Sequence, residues 1–179
     1  MFVLGIDPGL SRCGYGCVAR RPGGFRAIAA GVLTTPAGDP LPNRLAALRA
    51  DLVALMEELR PDVVAVERIF FRSNAKTAMS VAQASGVALL SAVEQGHAVV
   101  EYTAAEVKLA VTGYGNASKE QVQQMVARLV GLAEPPSPPD AADALALGLC
   151  HLSASSLGQA RVAGRVSPAQ LERPWRLSP

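Results

Sequence analysis

The chain opens on an apolar run, Phe2-Val3-Leu4-Gly5-Ile6, that ends on Asp7-Pro8-Gly9. Four of these five residues are large or β-branched and apolar, the pattern of a strand buried on both faces, and Pro8-Gly9 then stops it with turn chemistry. A carboxylate is thereby delivered to the carboxyl end of a strand, where open α/β sheets place their sites. Asp7 by itself also reads as a residue that opens a turn through its own local hydrogen bonds.

Two further runs, Gly14 to Ala19 and Ala27 to Thr34, flank Arg20-Arg21-Pro22-Gly23-Gly24, and short links of this kind make antiparallel neighbours. From Leu45 the period changes: Leu45, Leu48, Leu52, Leu55, Met56 and Leu59 form the stripe of an amphipathic helix. Val63-Val64-Ala65-Val66 is a fourth strand, which after a helical crossover pairs parallel to an existing one and carries Glu67 at its end. Glu67 thus repeats the placement of Asp7. The spacing then predicts a helix from Ala75 to about Gln95, rich in small residues that permit close packing within or between chains. A fifth strand over Ala98 to Thr103, a short helix from Ala104 to Val111, and a helix opened by a Ser118/Gln121 capping box follow. After Pro135-Pro136-Ser137-Pro138-Pro139, a last helix runs from about Ser137 to His151.

That last helix is apolar nearly all round, as a buried helix is, and Asp143 is the only charge between Asp140 and His151. Asp140 and Asp143 share one face. A capping role beside the positive helix end accounts for Asp140, but a carboxylate one turn inside costs free energy unless it is paired or bound to a cation. No Lys or Arg of the same helix lies near it.

Composition narrows the picture. With 179 residues, 50% of them hydrophobic, the chain suits one domain that buries roughly 70% of its extended surface. Cys13, Cys17 and Cys150 have neither the number nor the spacing of a disulfide framework or a zinc site and read as buried reduced thiols. No secretory leader and no uncharged stretch of the ~18 residues a membrane span requires is found, so a soluble, cytoplasmic protein with no membrane association is expected. A net charge of +2 does not announce nucleic acid; the placement of charge must carry that reading.

Clustered, Asp7, Glu67, Asp140 and Asp143 would raise one another's pKa unless divalent cations compensated. Oxygen-only ligands select Mg²⁺ or Mn²⁺ over zinc, and the chemistry suited to such a site is two-metal phosphodiester hydrolysis, with ions about 3.5–4 Å apart. Behind Glu67, two of the four phenylalanines stand among three cations in Arg68-Ile69-Phe70-Phe71-Arg72-Ser73-Asn74-Ala75-Lys76. This is a loop fit to bind phosphates through Arg72 and Lys76 and to stack or wedge a ring against an unpaired base, while one of the two rings anchors the loop.

The element order resembles the ribonuclease-H-like fold, an α/β five-stranded mixed sheet flanked by helices. Three motifs, Gly5-Ile6-Asp7-Pro8-Gly9-Leu10, Val66-Glu67-Arg68-Ile69-Phe70-Phe71 and Asp140-Ala141-Ala142-Asp143-Ala144-Leu145-Ala146, are similar to those of the RuvC Holliday-junction resolvases. The likeness covers residues 1–155 or nearly so, leaving 156–179 as a tail expected to be disordered. It implies a Mg²⁺-dependent endonuclease, with Mn²⁺ as substitute, that resolves four-way DNA junctions by paired nicks. It also implies a homodimer that works with a branch-migration motor of the RuvA and RuvB type. By that likeness Asp7, Glu67, Asp140 and Asp143 match the metal-binding acids, Asp140 being the ligand least fixed in type. Phe70 matches the ring associated with junction bases, and Lys108 and Lys119 match lysines near the active site, although each alone would pass as a solvated helix charge. His97 and His151 carry no signal and read as a loop and a helix-end residue. Three other readings stay open: an RNA-processing nuclease of the same fold, a non-catalytic junction binder, and an actin-like sugar kinase, which the single-domain length disfavours.

Overall fold

The computed structural model describes residues 1–69 and 75–156, apart from the side chains of 75–77 and 156. Ten elements follow in the order β1 (Phe2–Asp7), β2 (Arg12–Arg21), β3 (Gly24–Thr34), α1 (Leu41–Leu59), β4 (Val63–Glu67), α2 (Ala75–Glu94), β5 (Ala98–Tyr102), α3 (Ala104–Thr112), α4 (Lys119–Val130) and α5 (Pro139–Ser156). They form one five-stranded mixed sheet in the order β3-β2-β1-β4-β5. The β1-β2-β3 meander is antiparallel, whereas β1-β4 and β4-β5 are parallel. The central strands are buried on both faces because helices cover both, as parallel pairing demands.

Alternation along the strands sorts the core into two layers. Leu4, Ile6, Val64 and Val66 face Leu48, Leu52 and Met56 of α1 and Ala84, Ala88 and Ala92 of α2. Val3, Val63, Ala65 and Val100 face the other way, onto Val107, Val122, Val126 and the Leu145 to Leu152 stretch of α5. The small residues of α2 therefore divide. Ala84, Ala88 and Ala92 pack inside their own chain, while Gly86 is exposed together with Met79 and Leu90.

Boundaries shift for identifiable reasons. β2 and β3 extend into their link and leave Pro22-Gly23 as a two-residue turn, Gly23 taking a left-handed φ of 86°. α1 starts at Leu41, earlier than the stripe from Leu45, because Pro42 is tolerated in a first turn. α5 starts later, at Pro139, and runs past His151 to Ser156. His151 is consequently no helix-end residue. It is buried, and its Nδ1 lies 2.9 Å from the Tyr102 hydroxyl. Ser118 caps α4 in a box with Gln121 as expected, and a second box, Thr103 with Glu106, opens α3. The region expected to be a disordered tail lies, from residue 157 onward, outside the described residues.

Candidate active site

Parallel pairing of β1 with β4, with Ile6 opposite Val66, brings the next residue of each strand side by side. Asp7 and Glu67 meet there as a buried carboxyl pair in which the protonated form is favoured. Burial, then the Glu67 charge, pushes Asp7 up from the ordinary 3.8 to about 8. Burial also raises Glu67, with Asp143 adding to it, while the Asp7 hydrogen bond and Lys119 oppose the rise.

The other two acids arrive on α5, which lies directly across β1 and β2. That closeness depends on glycine: a methyl at Gly5 would collide with the Ala144 carbonyl, one at Gly14 with the Asp140 carbonyl, and one at Gly16 with the Leu145 backbone. Because Gly14 is the register partner of Asp7, the contact sets the first turn of α5 above the end of β1. Asp143 then lines a cleft of about 360 Å³ together with Asp7, Glu67, Lys108 and Lys119, against an apolar wall that includes Val107 and Leu147. Asp140 sits outside that lining, beside it.

Neither helix acid is bare. The Lys119 ammonium is 2.7 Å from Asp143 Oδ2, and the Arg12 guanidinium is 2.9 Å from Asp140 Oδ2. The bond to Asp143 is the main cause that raises the Lys119 pKa. For Asp140 partial burial pushes upward, but the hydrogen bond and charge of Arg12 prevail and hold the carboxyl below its usual range. Although α5 is buried, both acids keep about a quarter of their side chains exposed, at 28% and 25%.

Sequence reasoning missed Arg12 and the pairing of Lys119, since both cations come from elements other than α5. A cation just past the turn after Asp7 was the available signal. Lys108 lines the cleft from α3. Phe70, Phe71 and Arg72 lie outside the described residues, as does the side chain of Lys76.

The donor set is all carboxylate, which fits a hard divalent cation. Among the described residues no three such side chains close around a point as a finished cage. What the cleft holds is a carboxyl that keeps its proton and two carboxylates neutralised by an ammonium and a guanidinium. A divalent cation answers the same excess of negative charge.

Fold and site together define a ribonuclease-H-like nuclease. The yeast mitochondrial Holliday junction resolvase Ydc2 shares the fold, at a TM-score of 0.61 and 16% identity over 86% of this chain and 80% of that one. Thermus thermophilus RuvC superposes with a TM-score of 0.83 at 36% identity, covering 90% of this chain and 99% of that one. The same protein in complex with a Holliday junction substrate gives 0.82 at 34%, with the same coverage. Residues 3–151 match the sequence model of the crossover junction endodeoxyribonuclease RuvC family. The RuvC of Moorella thermoacetica is 50% identical over 167 residues, 92% of this chain and all of that protein. That of Salinispora arenicola is 55% identical over 153 residues, 85% of this chain and 87% of the relative. The chain belongs to the RuvC family of crossover junction endodeoxyribonucleases.

Proposed function

We propose that this protein resolves four-way DNA junctions by hydrolysing one phosphodiester in each of two strands, with two Mg²⁺ ions per site and Mn²⁺ as an effective substitute. The observation that carries the reading is the convergence of Asp7, Glu67 and Asp143 on one cleft with Lys108 and Lys119. The RNA-processing and non-catalytic alternatives are not favoured, because the family likeness spans nearly the whole domain and all four acids are present.

Asp7, Glu67 and Asp143 would hold the cations, with Asp140 completing the set from the rim. Bound divalent ions supply activation of water and stabilisation of the leaving oxygen. To serve as a ligand Asp7 gives up its proton, which ties ion uptake to proton release. Lys119 and Lys108 are placed to receive phosphate oxygens from the α4 and α3 walls. Phe70 and Phe71, with Arg72 and Lys76, follow Glu67 in the chain and supply the base-stacking and phosphate contacts of the junction centre.

A four-way junction has two-fold symmetry, so two like nicks call for two sites, and an isologous dimer presents one surface twice. The exposed strip of α2 with Met79, Gly86 and Leu90 is the face for it. Cooperation with a branch-migration motor of the RuvA and RuvB type and a cytoplasmic location rest on the family likeness. Among the described residues no helix is long and apolar enough to cross a membrane.

Side-by-side incubation with a DNA junction, a matched DNA duplex and an RNA duplex tests the reading. Paired symmetric nicks are expected only in the junction, with Mg²⁺ or Mn²⁺, while Ca²⁺ supports binding with little cutting. Full activity in excess chelator, or preferential cutting of RNA, would refute it. Sedimentation as a monomer both on and off the junction would remove the dimer.

A further inference from the structure

Arg12 is the first residue of β2, just past the turn that Asp7 opens. Its guanidinium places two donors, Nη2 at 2.9 Å and Nε at 3.2 Å, on the same oxygen of Asp140. Oδ1 is left out of that fork. The turn behind Arg12 is braced from a third element: Arg44 of α1 donates through Nη2 to Ser11 Oγ at 2.7 Å and through Nε to Thr35 Oγ1 at 3.0 Å. Thr35 in turn donates to the Leu10 carbonyl at 2.5 Å. On the other side Gly14 presses against the Asp140 backbone. Arg12 and Asp140 are therefore held opposite each other by the scaffold as well as by their own charges.

This pair differs from a structural ion pair in where it stands. It lies at the rim of a cleft meant for a polyanion, and half of the Arg12 side chain is exposed to solvent. Ion pairs so exposed are weak and exchangeable, whereas a guanidinium fork matches a phosphate as well as it matches a carboxylate. An unmasked Asp140 would repel the incoming strand.

We propose that Arg12 is a DNA-positioning residue: it masks Asp140 in the free protein and exchanges that carboxylate for a backbone phosphate of the bound strand at the rim of the cleft. The proposal rests on the reading of the cleft as a DNA site. The exchange leaves Asp140 free to turn toward the other acids only once DNA is in place, which couples completion of the acid set to substrate binding.

A double-mutant cycle on junction binding tests this in excess chelator, where no cutting confuses the readout. Dissociation constants would be measured across a salt series for the parent, Arg12→Ala, Asp140→Asn and the double variant, with melting curves to confirm folding and Arg12→Gln as a second probe. One lost phosphate contact lowers the slope of log affinity against log salt by roughly 0.9, and Arg12→Ala should show that loss. Asp140→Asn, which unmasks the guanidinium, should tighten binding severalfold, and the gain should vanish in the double variant. A parental salt slope in both Arg12→Ala and Arg12→Gln would overturn the proposal. So would a gain from Asp140→Asn that survives without Arg12, since it would then be simple relief of repulsion. Cutting by Asp140→Asn in Mg²⁺ reports separately on whether Asp140 belongs to the catalytic set.

Discussion

Asp7 and Glu67 end adjacent parallel strands and meet where burial and each other's charge favour the protonated form, whereas Asp140 and Asp143 each reach a cation drawn from another part of the chain. The residue types are the same and the environments are opposite. Strand ends in the middle of a covered sheet are poor in water and have backbone on either side, so a carboxyl there is raised toward its neutral form. The first turn of α5 stands nearer the surface, where long side chains from β2 and α4 can arrive. One half of the site is thus short of positive charge, and the other half is already neutralised. Asp7 and Glu67 would hold a divalent cation by releasing a proton, whereas Asp143 and Asp140 would have to give up Lys119 and Arg12 to do so.

The sharpest way to break this comparison is Asp7→Asn, which removes the carboxyl that must ionise. Junction cutting should fall by roughly 10³-fold or more, while binding, carried mainly by phosphate contacts, stays near the parental level. A variant that still cuts close to the parental rate in Mg²⁺ would show that Asp7 lies outside the reacting centre. Next comes Gly5→Ala, which acts on neither pair directly but separates them. Its methyl would meet the Ala144 carbonyl, so α5 must shift or the protein lose about 1–3 kcal/mol. Chemical denaturation and cutting rate should fall together; a fully stable, fully active variant would mean that α5 need not lie so close to β1.

Lys119→Met strips the paired cation from Asp143 and removes a weaker pull on Glu67. A residue that orients a ligand from behind typically contributes 10–100-fold, so cutting should fall by about that much, with a changed Mg²⁺ concentration for half-maximal rate. A fall without any change in Mg²⁺ dependence would confine Lys119 to phosphate binding. The smallest effect is on stability against pH. The folded protein keeps a proton on Asp7 up to about 8, against an ordinary 3.8. Where the unfolded chain has released that proton and the folded one has not, rising pH favours unfolding. In chelator the stability attributable to Asp7 should therefore decline from about pH 4 to about pH 8, and Asp7→Asn should flatten that decline. Melting temperatures at pH 5 and pH 8 check it, and an unchanged slope in the variant would assign the decline to other groups.

Much of this arrangement is written in short stretches of the chain. Short apolar runs place Asp7 and Glu67 at strand ends, with turn chemistry closing the first, the three- and four-residue stripes mark the helices, and the all-apolar character of α5 marks it as buried with Asp143 as its anomaly. These are local properties, because periodicity and capping are settled among residues a few positions apart. The partners of the acids are not local. Arg12 meets Asp140 at a separation of 128 positions, the Asp7–Glu67 pair depends on which strands lie side by side, and Tyr102 meets His151 across 49 positions. Which carboxyl keeps a proton and which takes a cation is decided by distance and burial, and those exist only when the sheet has formed and the glycines of β1 and β2 have let α5 down onto it. The sequence by itself therefore determined the elements and the acids they carry, while the tertiary structure alone decided their charge.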